Sequence, residues 1–254
     1  MCIVSITHSF FPEPPPTGHV AHATPPQTMK SFGLLAASLA ALAGVSLAAR
    51  GVDVSSAVYE NNWSCLAQEG YSYAIVRAHL SNGGADPTAP HTIYNFYASD
   101  MGKKGGRVDL YLFPNVPAGN PSHQVTSVVD YLKGYDIHYS RSGGDKTYST
   151  VWLDIEPYAW SSDKAANADF IAGMMHGCEE AGVQCGIYAN WNSWAEIAGE
   201  WSGASHLPLW YPIYDGSESC SDFRAFGGWS RPSKKQWQGN DNICGAGVDL
   251  NVDC

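Results

Sequence analysis

From residue 51 onward, short apolar segments alternate with amphipathic ones, and this alternation restricts the fold more than any other feature. Six strand-like segments are separated by five segments of helical spacing, at 58–70, 89–106, 121–134, 164–182 and 193–201. Strands joined through helices run parallel, with right-handed crossovers. Two more strand candidates, 234–240 and 247–252, have no helix between them. The pattern predicts an α/β fold, an irregular TIM-like β/α barrel of about eight strands with helices missing from its last third.

The first 49 residues differ in composition from the rest and are expected to lie outside this domain. Residues 1–28 are rich in Pro, His and Thr, and we interpret them as a non-structural upstream extension. In residues 29–49, Lys30 precedes an uncharged apolar run with small residues at Ser46 and Ala48. This arrangement is typical of a secretory signal peptide. A membrane anchor is the alternative, although the run is barely long enough to span a bilayer.

Cysteine usage indicates an oxidising compartment. One of the seven cysteines falls in the upstream extension, and the remaining six suit three disulfides in a secreted chain. The expected location is therefore extracellular, lysosomal or phagosomal. The triplet Asn-Trp-Ser at Asn62 adds a candidate N-glycosylation site. A tight return from the 164–182 helix predicts a Cys178–Cys185 bond, and the other pairs expected are Cys220–Cys244 and Cys65–Cys254.

The charge balance excludes some classes of partner. A formal net charge of -10 argues against nucleic acid and against anionic membrane, because both require a basic surface. Histidines are scattered without ligand spacing and no Cys-x-x-Cys pair occurs, so the sequence gives no support for a metal site. After removal of the signal peptide we expect a monomer with no membrane contact.

Four carboxylates lie in strand-like segments: Asp53, Asp154, Glu156 and Asp249. The carboxyl ends of parallel barrel strands meet at one rim, where barrel enzymes place their chemistry. A single acid at a strand end has a simpler interpretation, since it often caps the following helix. Four acids on three strands are harder to explain that way, because buried carboxylates are costly. The sequence therefore predicts an active site at this rim.

The spacing of Asp154 and Glu156 indicates a type of chemistry. Residues two apart on a strand point to the same face, about 6.6 Å from each other along it. Glycosidases use two carboxyl groups that flank the scissile bond, one protonated and one ionised. Mutual repulsion helps to separate the pKa values of such a pair.

The order of several short motifs resembles one family. Along the chain these are GVDVSS, YAIVRAHLSNGGADP, DLYLFP, WLDIEP, GIYAN, PLWYPIYD, KKQWQG and GVDLNV. Residues 50–254 resemble glycoside hydrolase family 25, the Chalaropsis-type lysozymes. FGGWSRPSKKQW and YLFP are most similar to the branch found in nematodes and protists. The resemblance implies an irregular β/α barrel that acts on bacterial peptidoglycan, without a cofactor, at the β-1,4 bond between N-acetylmuramic acid and N-acetylglucosamine.

The resemblance also implies residue roles. Glu156 matches the general acid. Asp154 matches the group that stabilises an oxocarbenium ion, or an oxazolinium ion formed by the substrate's acetamido group. Asp53 and Asp249 match two further acids that orient the partner, the substrate or water.

Aromatic residues are abundant, with nine Trp and 14 Tyr, and some of them are expected to line a sugar cleft. The candidates for sugar binding are Tyr188, Trp210 and Tyr214, which lie in or just after predicted strands. Aromatic residues in strands more often belong to the core, and alternation directs only some of them toward the rim.

Two other functions are compatible with parts of this pattern. A chitinase-like hydrolase also uses Asp-x-Glu, but within a longer acidic run, and here Trp152 stands where that run would have an acid. A binding module that has lost catalysis would be indicated by loss of Asp154 or Glu156, and both are present.

Overall fold

The computed structural model describes residues 48–254, in which eight strands close a barrel and helices pack around it. The strands are β1 (Arg50–Val54), β2 (Tyr73–His79), β3 (Arg107–Leu112), β4 (His138–Tyr139), β5 (Thr147–Tyr148), β6 (Val151–Asp154), β7 (Cys185–Tyr188), β8 (Leu209–Pro212), β9 (Lys234–Ile243) and β10 (Ala246–Asp253). The helices are α1 (Glu60–Gln68), α2 (Ala89–Ala98), α3 (Asp100–Lys103), α4 (Pro121–Lys133), α5 (Lys164–Ala181) and α6 (Trp191–Ile197).

The strand order around the barrel is β1-β10-β9-β8-β7-β6-β3-β2, and β4 and β5 form a separate two-stranded sheet. The last described helix, α6, ends at Ile197. The predicted irregular β/α barrel, with helices missing from its last third, is therefore confirmed.

The final strand, β10, runs against the other seven strands of the barrel. It pairs antiparallel with both β9 and β1. Cys244 and Gly245 join it to β9, and both have positive φ, 57° and 75°. This is the conformation of a tight type I′ hairpin turn, which only antiparallel strands can share. The expectation that all strands run the same way was wrong for β10.

Alternation along the strands separates two layers of side chains. Outward-facing residues such as Leu153 and Ile155 pack with the helices in the main core. Inward-facing residues fill the barrel with a second apolar cluster, called here the barrel plug. Gly51 leaves room for it, because a Cβ there would lie 2.1 Å from the Tyr73 ring. The barrel plug consists of Tyr73, Ile75, Trp152, Tyr188 and Trp210.

The segment 89–106 was predicted as one helix but forms two. Ser99 has an extended backbone, with φ -78° and ψ 171°, and ends α2. Its hydroxyl donates to the carbonyl of Phe96 at 2.6 Å and accepts from the backbone N–H of Met101 at 3.2 Å. Ser99 thus caps α3, as serine does at many helix starts.

Three disulfides join the six cysteines of the described chain. The predicted Cys178–Cys185 bond is present, with the two Cα atoms 6.1 Å apart. The other two expected pairs are wrong. Cys244 precedes β10 and Cys254 follows it, so the antiparallel direction of β10 decides which end of the barrel each of them occupies. Cys244 lies in the hairpin turn next to α1, whereas the N–H of Cys254 donates to the carbonyl of Ser233, just before β9. The observed bonds are Cys65–Cys244 and Cys220–Cys254.

Asn62 is engaged by the fold. It lies in the first turn of α1, where its Oδ1 accepts from the N–H of Tyr59 at 3.1 Å. Its Nδ2 donates to the carbonyl of Cys244 at 2.8 Å. In the folded domain this nitrogen is already engaged in a hydrogen bond, which argues against the predicted glycosylation.

The predicted upstream extension and residues 29–47 of the predicted signal peptide lie outside the described residues. Ala49, the last residue of that predicted peptide, packs against the barrel plug. Its carbonyl accepts from the N–H of Asp253 at 2.9 Å, so Ala49 is part of the barrel. Within residues 48–254, none of the helices combines the length and apolar character needed to cross a membrane.

Candidate active site

The structure brings the four predicted acids to one rim of the barrel. Asp53 lies near the end of β1 and is paired in register with Asp249 of β10. Asp249 reaches this rim from the first half of its strand, because β10 runs in the opposite direction. Asp154 ends β6, and Glu156 follows two residues later. In the eight-membered ring β6 lies four strands from β10 in either direction, so the two pairs face each other across the barrel mouth.

Asp154 and Glu156 project to the same side of β6. Between them, the N–H of Ile155 donates to the carbonyl of Tyr188 at 2.8 Å, which continues the strand pairing beyond Asp154. Ile155 is fully buried in the main core outside the barrel. Alternation therefore directs its two acidic neighbours toward the mouth.

These two acids differ in environment. Asp154 is 5% exposed, and its Oδ1 has no hydrogen-bond partner within the described part of the chain. Glu156 is half-buried. The carbonyl of Glu156 accepts from Nε1 of Trp160 at 2.9 Å, which fixes its backbone. Asp154 is thus the deeper group, and Glu156 is the one more accessible from the mouth.

The facing acids are held by amide side chains. Oδ2 of Asp53 accepts from Nε2 of Gln236 at 2.8 Å and from Nδ2 of Asn251 at 2.7 Å. The same Gln236 nitrogen donates to Oδ2 of Asp249 at 3.2 Å. Oδ1 of Asp249 accepts from the backbone N–H of Asn240 at 2.6 Å. Gln236 therefore links the two carboxylates on this side of the mouth.

Gln236 also connects these acids to two tyrosines. Its Oε1 accepts from the hydroxyl of Tyr188 at 2.7 Å and from the hydroxyl of Tyr214 at 2.8 Å. Because its oxygen is engaged by two donors, its nitrogen must face the carboxylates. The orientation of this amide is thereby fixed.

Burial raises the pKa values of all four acids, and repulsion from neighbouring carboxylates adds to this effect. Burial, followed by the charge of Asp249, raises the pKa of Asp53 to about 7. Burial and then the charges of Glu156 and Asp53 raise the pKa of Asp154 well above its usual value. The pKa of Glu156 is raised by burial and by Asp249. Burial also raises the pKa of Asp249, although the Asn240 N–H opposes this. The site therefore retains protons toward neutral pH, as a proton donor requires.

Two of the three predicted sugar-binding aromatics are interior residues. Trp210 is 2% exposed, and its Nε1 donates to Oδ1 of Asn251 at 2.8 Å. Tyr188 is 7% exposed, and its ring lies 4.4 Å from that of Trp210. Neither offers a ring face to a sugar. We therefore correct their expected role from sugar binding to support of the hydrogen-bond network around Asp53.

Tyr214 is the exception among these three. It is 61% exposed in the loop after β8, with its hydroxyl directed at Gln236. The fully buried Lys235 anchors this loop. Its Nζ lies 2.8 Å from Oδ2 of Asp215 and 3.0 Å from Oδ2 of Asp222. Sugar contact by Tyr214 remains a prediction.

Gln236, Asn251 and Trp160 were not among the residues predicted from the sequence. For Gln236 a signal was present, since Lys234, Gln236 and Gln238 alternate along a strand and so share one face. A polar face on a barrel strand indicates a polar interior, and this face of β9 reaches the acids.

The mouth contains space for a ligand on the Asp53 side. A cavity of about 350 Å³ is bordered there by Asp53, Tyr111, Asn240 and Asp249. Among residues 48–254, His, Cys, Asp and Glu side chains form no group of three or more that could hold a metal ion.

Comparison with known proteins adds independent information. The chain matches the family described as "Lysozyme-like protein 1" over residues 45–237. It is 42% identical over 221 residues to "Probable GH family 25 lysozyme 2" of Dictyostelium discoideum, covering 87% of this chain and 98% of that protein. It is 35% identical over 211 residues to "Lysozyme-like protein 5" of Caenorhabditis elegans, covering 82% of this chain and 92% of that protein.

Solved structures share the fold at lower identity. The bacterial lysozyme from Streptomyces coelicolor superimposes with a TM-score of 0.62 at 19% identity, covering 82% of this chain and 93% of that chain. A closed β/α barrel with paired acids at its rim is an arrangement that glycoside hydrolases use. With the sequence matches, this chain belongs to the family 25 lysozymes, in the branch that includes protist and nematode members.

Proposed function

We propose that this chain is a secreted lysozyme that hydrolyses the β-1,4 bond between N-acetylmuramic acid and N-acetylglucosamine in bacterial peptidoglycan. The main support is the placement of Asp154 and Glu156 on one side of the mouth, facing Asp53 and Asp249 on the other. Most glycoside hydrolases use two carboxyl groups beside the scissile bond. Family membership points to the same substrate.

Glu156 is the general acid in this proposal. It is half-buried, so it can reach a substrate oxygen, and its raised pKa extends the pH range over which it carries a proton. It donates this proton to the glycosidic oxygen as the bond to the anomeric carbon breaks. The hydrogen bond from Trp160 holds the Glu156 backbone in place during the transfer.

Asp154 stabilises the charge that develops on the sugar. Its unpartnered Oδ1 is a buried acceptor, and such atoms normally have a partner. An acetamido N–H of the substrate would satisfy it. Positive charge on the sugar ring favours the ionised form of Asp154, so the interaction is strongest in the transition state.

Asp53 and Asp249 complete the site as orienting groups. Gln236 holds them together, and the two tyrosine hydroxyls fix Gln236. Because Asp53 keeps a proton up to about pH 7, this side of the mouth contributes less negative charge in acid than in base.

Secretion and a monomeric state are part of the same proposal. The apolar run after Lys30 and the three disulfides of residues 48–254 suit an extracellular, lysosomal or phagosomal location. Mass analysis of protein recovered from the medium of expressing cells would test both secretion and the site of signal cleavage.

Turbidity of purified bacterial walls tests the activity, with chitin as the control substrate. We expect clearing of walls, new reducing ends on N-acetylmuramic acid and no release from chitin. Cleavage of chitin in place of walls would favour the chitinase-like alternative. Sedimentation with walls but no clearing would favour a binding protein. Glu156→Gln, prepared in parallel, distinguishes catalysis at this site from contaminating hydrolase.

A further inference from the structure

An exposed aromatic residue lies next to the proposed general acid. Tyr158 follows Glu156 by two residues and is 68% exposed. It belongs to the loop between β6 and α5, on the rim that carries the four acids. Neither the motif resemblance nor the acid network gives this ring a role.

Tyr158 is supported on one side by Phe113. The two ring centroids are 5.3 Å apart and the ring planes meet at 90°. Phe113 follows β3, the strand that neighbours β6 in the barrel. An edge-to-face contact of this type is favourable and restricts the Tyr158 ring, while its other side stays in solvent.

Phe113 is itself held by the buried His79. The N–H of Phe113 donates to the carbonyl of His79 at 3.3 Å. The N–H of Gly84 donates to Nε2 of His79 at 3.1 Å, so the proton lies on Nδ1, which donates to the carbonyl of Phe113 at 2.8 Å. Both backbone groups of Phe113 are thus tied to one buried residue: the N–H to the backbone of His79 and the carbonyl to its imidazole, which is 2% exposed.

The loop that carries Tyr158 is closed at its base. Trp160 donates from Nε1 to the carbonyl of Glu156, and its ring meets that of Phe170 at 5.8 Å. Pro157 restricts φ inside the same segment. Tyr158 therefore lies in a loop that is fixed at its base, and most of its side chain is in solvent.

We propose that Tyr158, supported by Phe113, is the stacking platform for the sugar on the leaving-group side of the scissile bond. The inference rests on the proposed function and deepens it by giving the bound glycan a direction. Positive charge develops on the sugar that keeps the anomeric carbon, so that sugar lies against Asp154, Asp53 and Asp249. Glu156 protonates the bridging oxygen, and the departing sugar lies beyond it, beside Tyr158.

The ligand class follows from this placement. A β-linked 2-acetamido sugar presents an apolar face of ring C–H groups, which suits the flat face of an exposed aromatic ring. In the proposed reaction the departing sugar is N-acetylglucosamine. Binding depends on the ring of Tyr158 and not on its hydroxyl.

Two substrates with the same glycone test the assignment. One is the tetrasaccharide of two N-acetylglucosaminyl-N-acetylmuramic acid units, whose leaving group is a sugar. The other is the β-fluoride of one such unit, whose leaving group is fluoride and cannot stack. Tyr158→Ala should lower kcat/KM for the tetrasaccharide about tenfold, equal to about 1.4 kcal/mol. It should change kcat/KM for the fluoride by less than about twofold.

Two further variants complete the design. Tyr158→Phe keeps the ring and should retain activity on both substrates. Tyr135→Ala is the matched control, because Tyr135 is 39% exposed after α4 and packs against Tyr131, away from the acids. It should change neither rate.

The outcomes separate this proposal from the proposed function. An equal loss on both substrates, or no loss on either, would overturn the stacking role while the wild-type activity stands. Failure of the wild type to cleave the tetrasaccharide would overturn the proposed function, and the platform with it.

Discussion

Replacing Asp53 by Asn should stabilise the protein at neutral pH while impairing its site. Asp53 is 7% exposed, and its Oδ2 accepts hydrogen bonds from Gln236 and Asn251. Asparagine has nearly the same shape, and its oxygen can accept both of these bonds. The substitution therefore removes a titrating charge without opening a cavity.

The size and sign of the effect follow from the raised pKa. Below about pH 4 Asp53 is protonated in both the folded and the unfolded chain. As the pH rises, the unfolded chain releases its proton first, while the folded chain keeps it to about pH 7. Wild-type stability therefore falls through this window. The shift from 3.8 to about 7 corresponds to roughly 4 kcal/mol at 1.36 kcal/mol per unit. Because protons are shared with Asp249, we expect a difference of about 2–4 kcal/mol.

Urea unfolding with intact disulfides, followed by tryptophan fluorescence, measures this difference. The free energy of unfolding of Asp53→Asn should rise relative to wild type by about 2–4 kcal/mol between about pH 4 and pH 8. Asp169→Asn, on the exposed face of α5, makes the same chemical change at the surface and provides the control. The reasoning would be refuted if the difference in free energy of unfolding between Asp53→Asn and wild type did not change with pH, or if wild type were the more stable protein at high pH.

Other consequences of the site and its supports can be measured directly. Glu156→Gln should lower the rate of wall lysis by roughly 10²–10⁴-fold with an unchanged circular dichroism spectrum; retention of more than about a tenth of the activity would assign the acid elsewhere. Activity on soluble oligosaccharides should peak below neutral pH and fall as Glu156 and Asp53 lose their protons, and a maximum above about pH 8 would contradict this. Removing the Cys65–Cys244 bond, which closes 179 residues, should cost about 2–5 kcal/mol in urea unfolding. Gln236→Leu should reduce activity at least about tenfold, because two acids and two tyrosine hydroxyls lose a shared partner, and wild-type activity in this variant would show the network to be dispensable.

The barrel was predictable from the sequence because each of its eight strands has an apolar or alternating pattern with breaks on either side. The direction of β10 was not predictable in the same way. Cys-Gly is a weaker turn signal than Asn-Gly, and periodicity contains no information about direction. The two incorrect disulfides had no support from local spacing, and the correct pairs depend on which end of the barrel Cys244 occupies.

The acids of the site were identified because their positions at strand ends can be recognised locally. The residues that hold the acids in place were harder to identify. Alternation shows which face of a strand a side chain lies on, but not how deeply it is buried. Trp210 and Tyr188 lie on the inner face, as a rim residue would, yet both are buried. Tyr158 lies in a loop, where no periodicity exists, and only the position of Phe113 shows how its ring is held.

Closure of the barrel by β1 and β10 has a consequence for synthesis on the ribosome. Asn251, which binds Asp53, lies 198 residues further along the chain. While translation proceeds, β1 has been made but its partner has not, so the growing sheet is open and one of its edges is unpaired. Joining segments so distant in sequence is slow, and unpaired edges favour association with other chains. Each molecule therefore completes the Asp53 side of its candidate active site only after β10 has been made and has paired, and the native Cys65–Cys244 bond depends on the hairpin that brings the two sulfurs together.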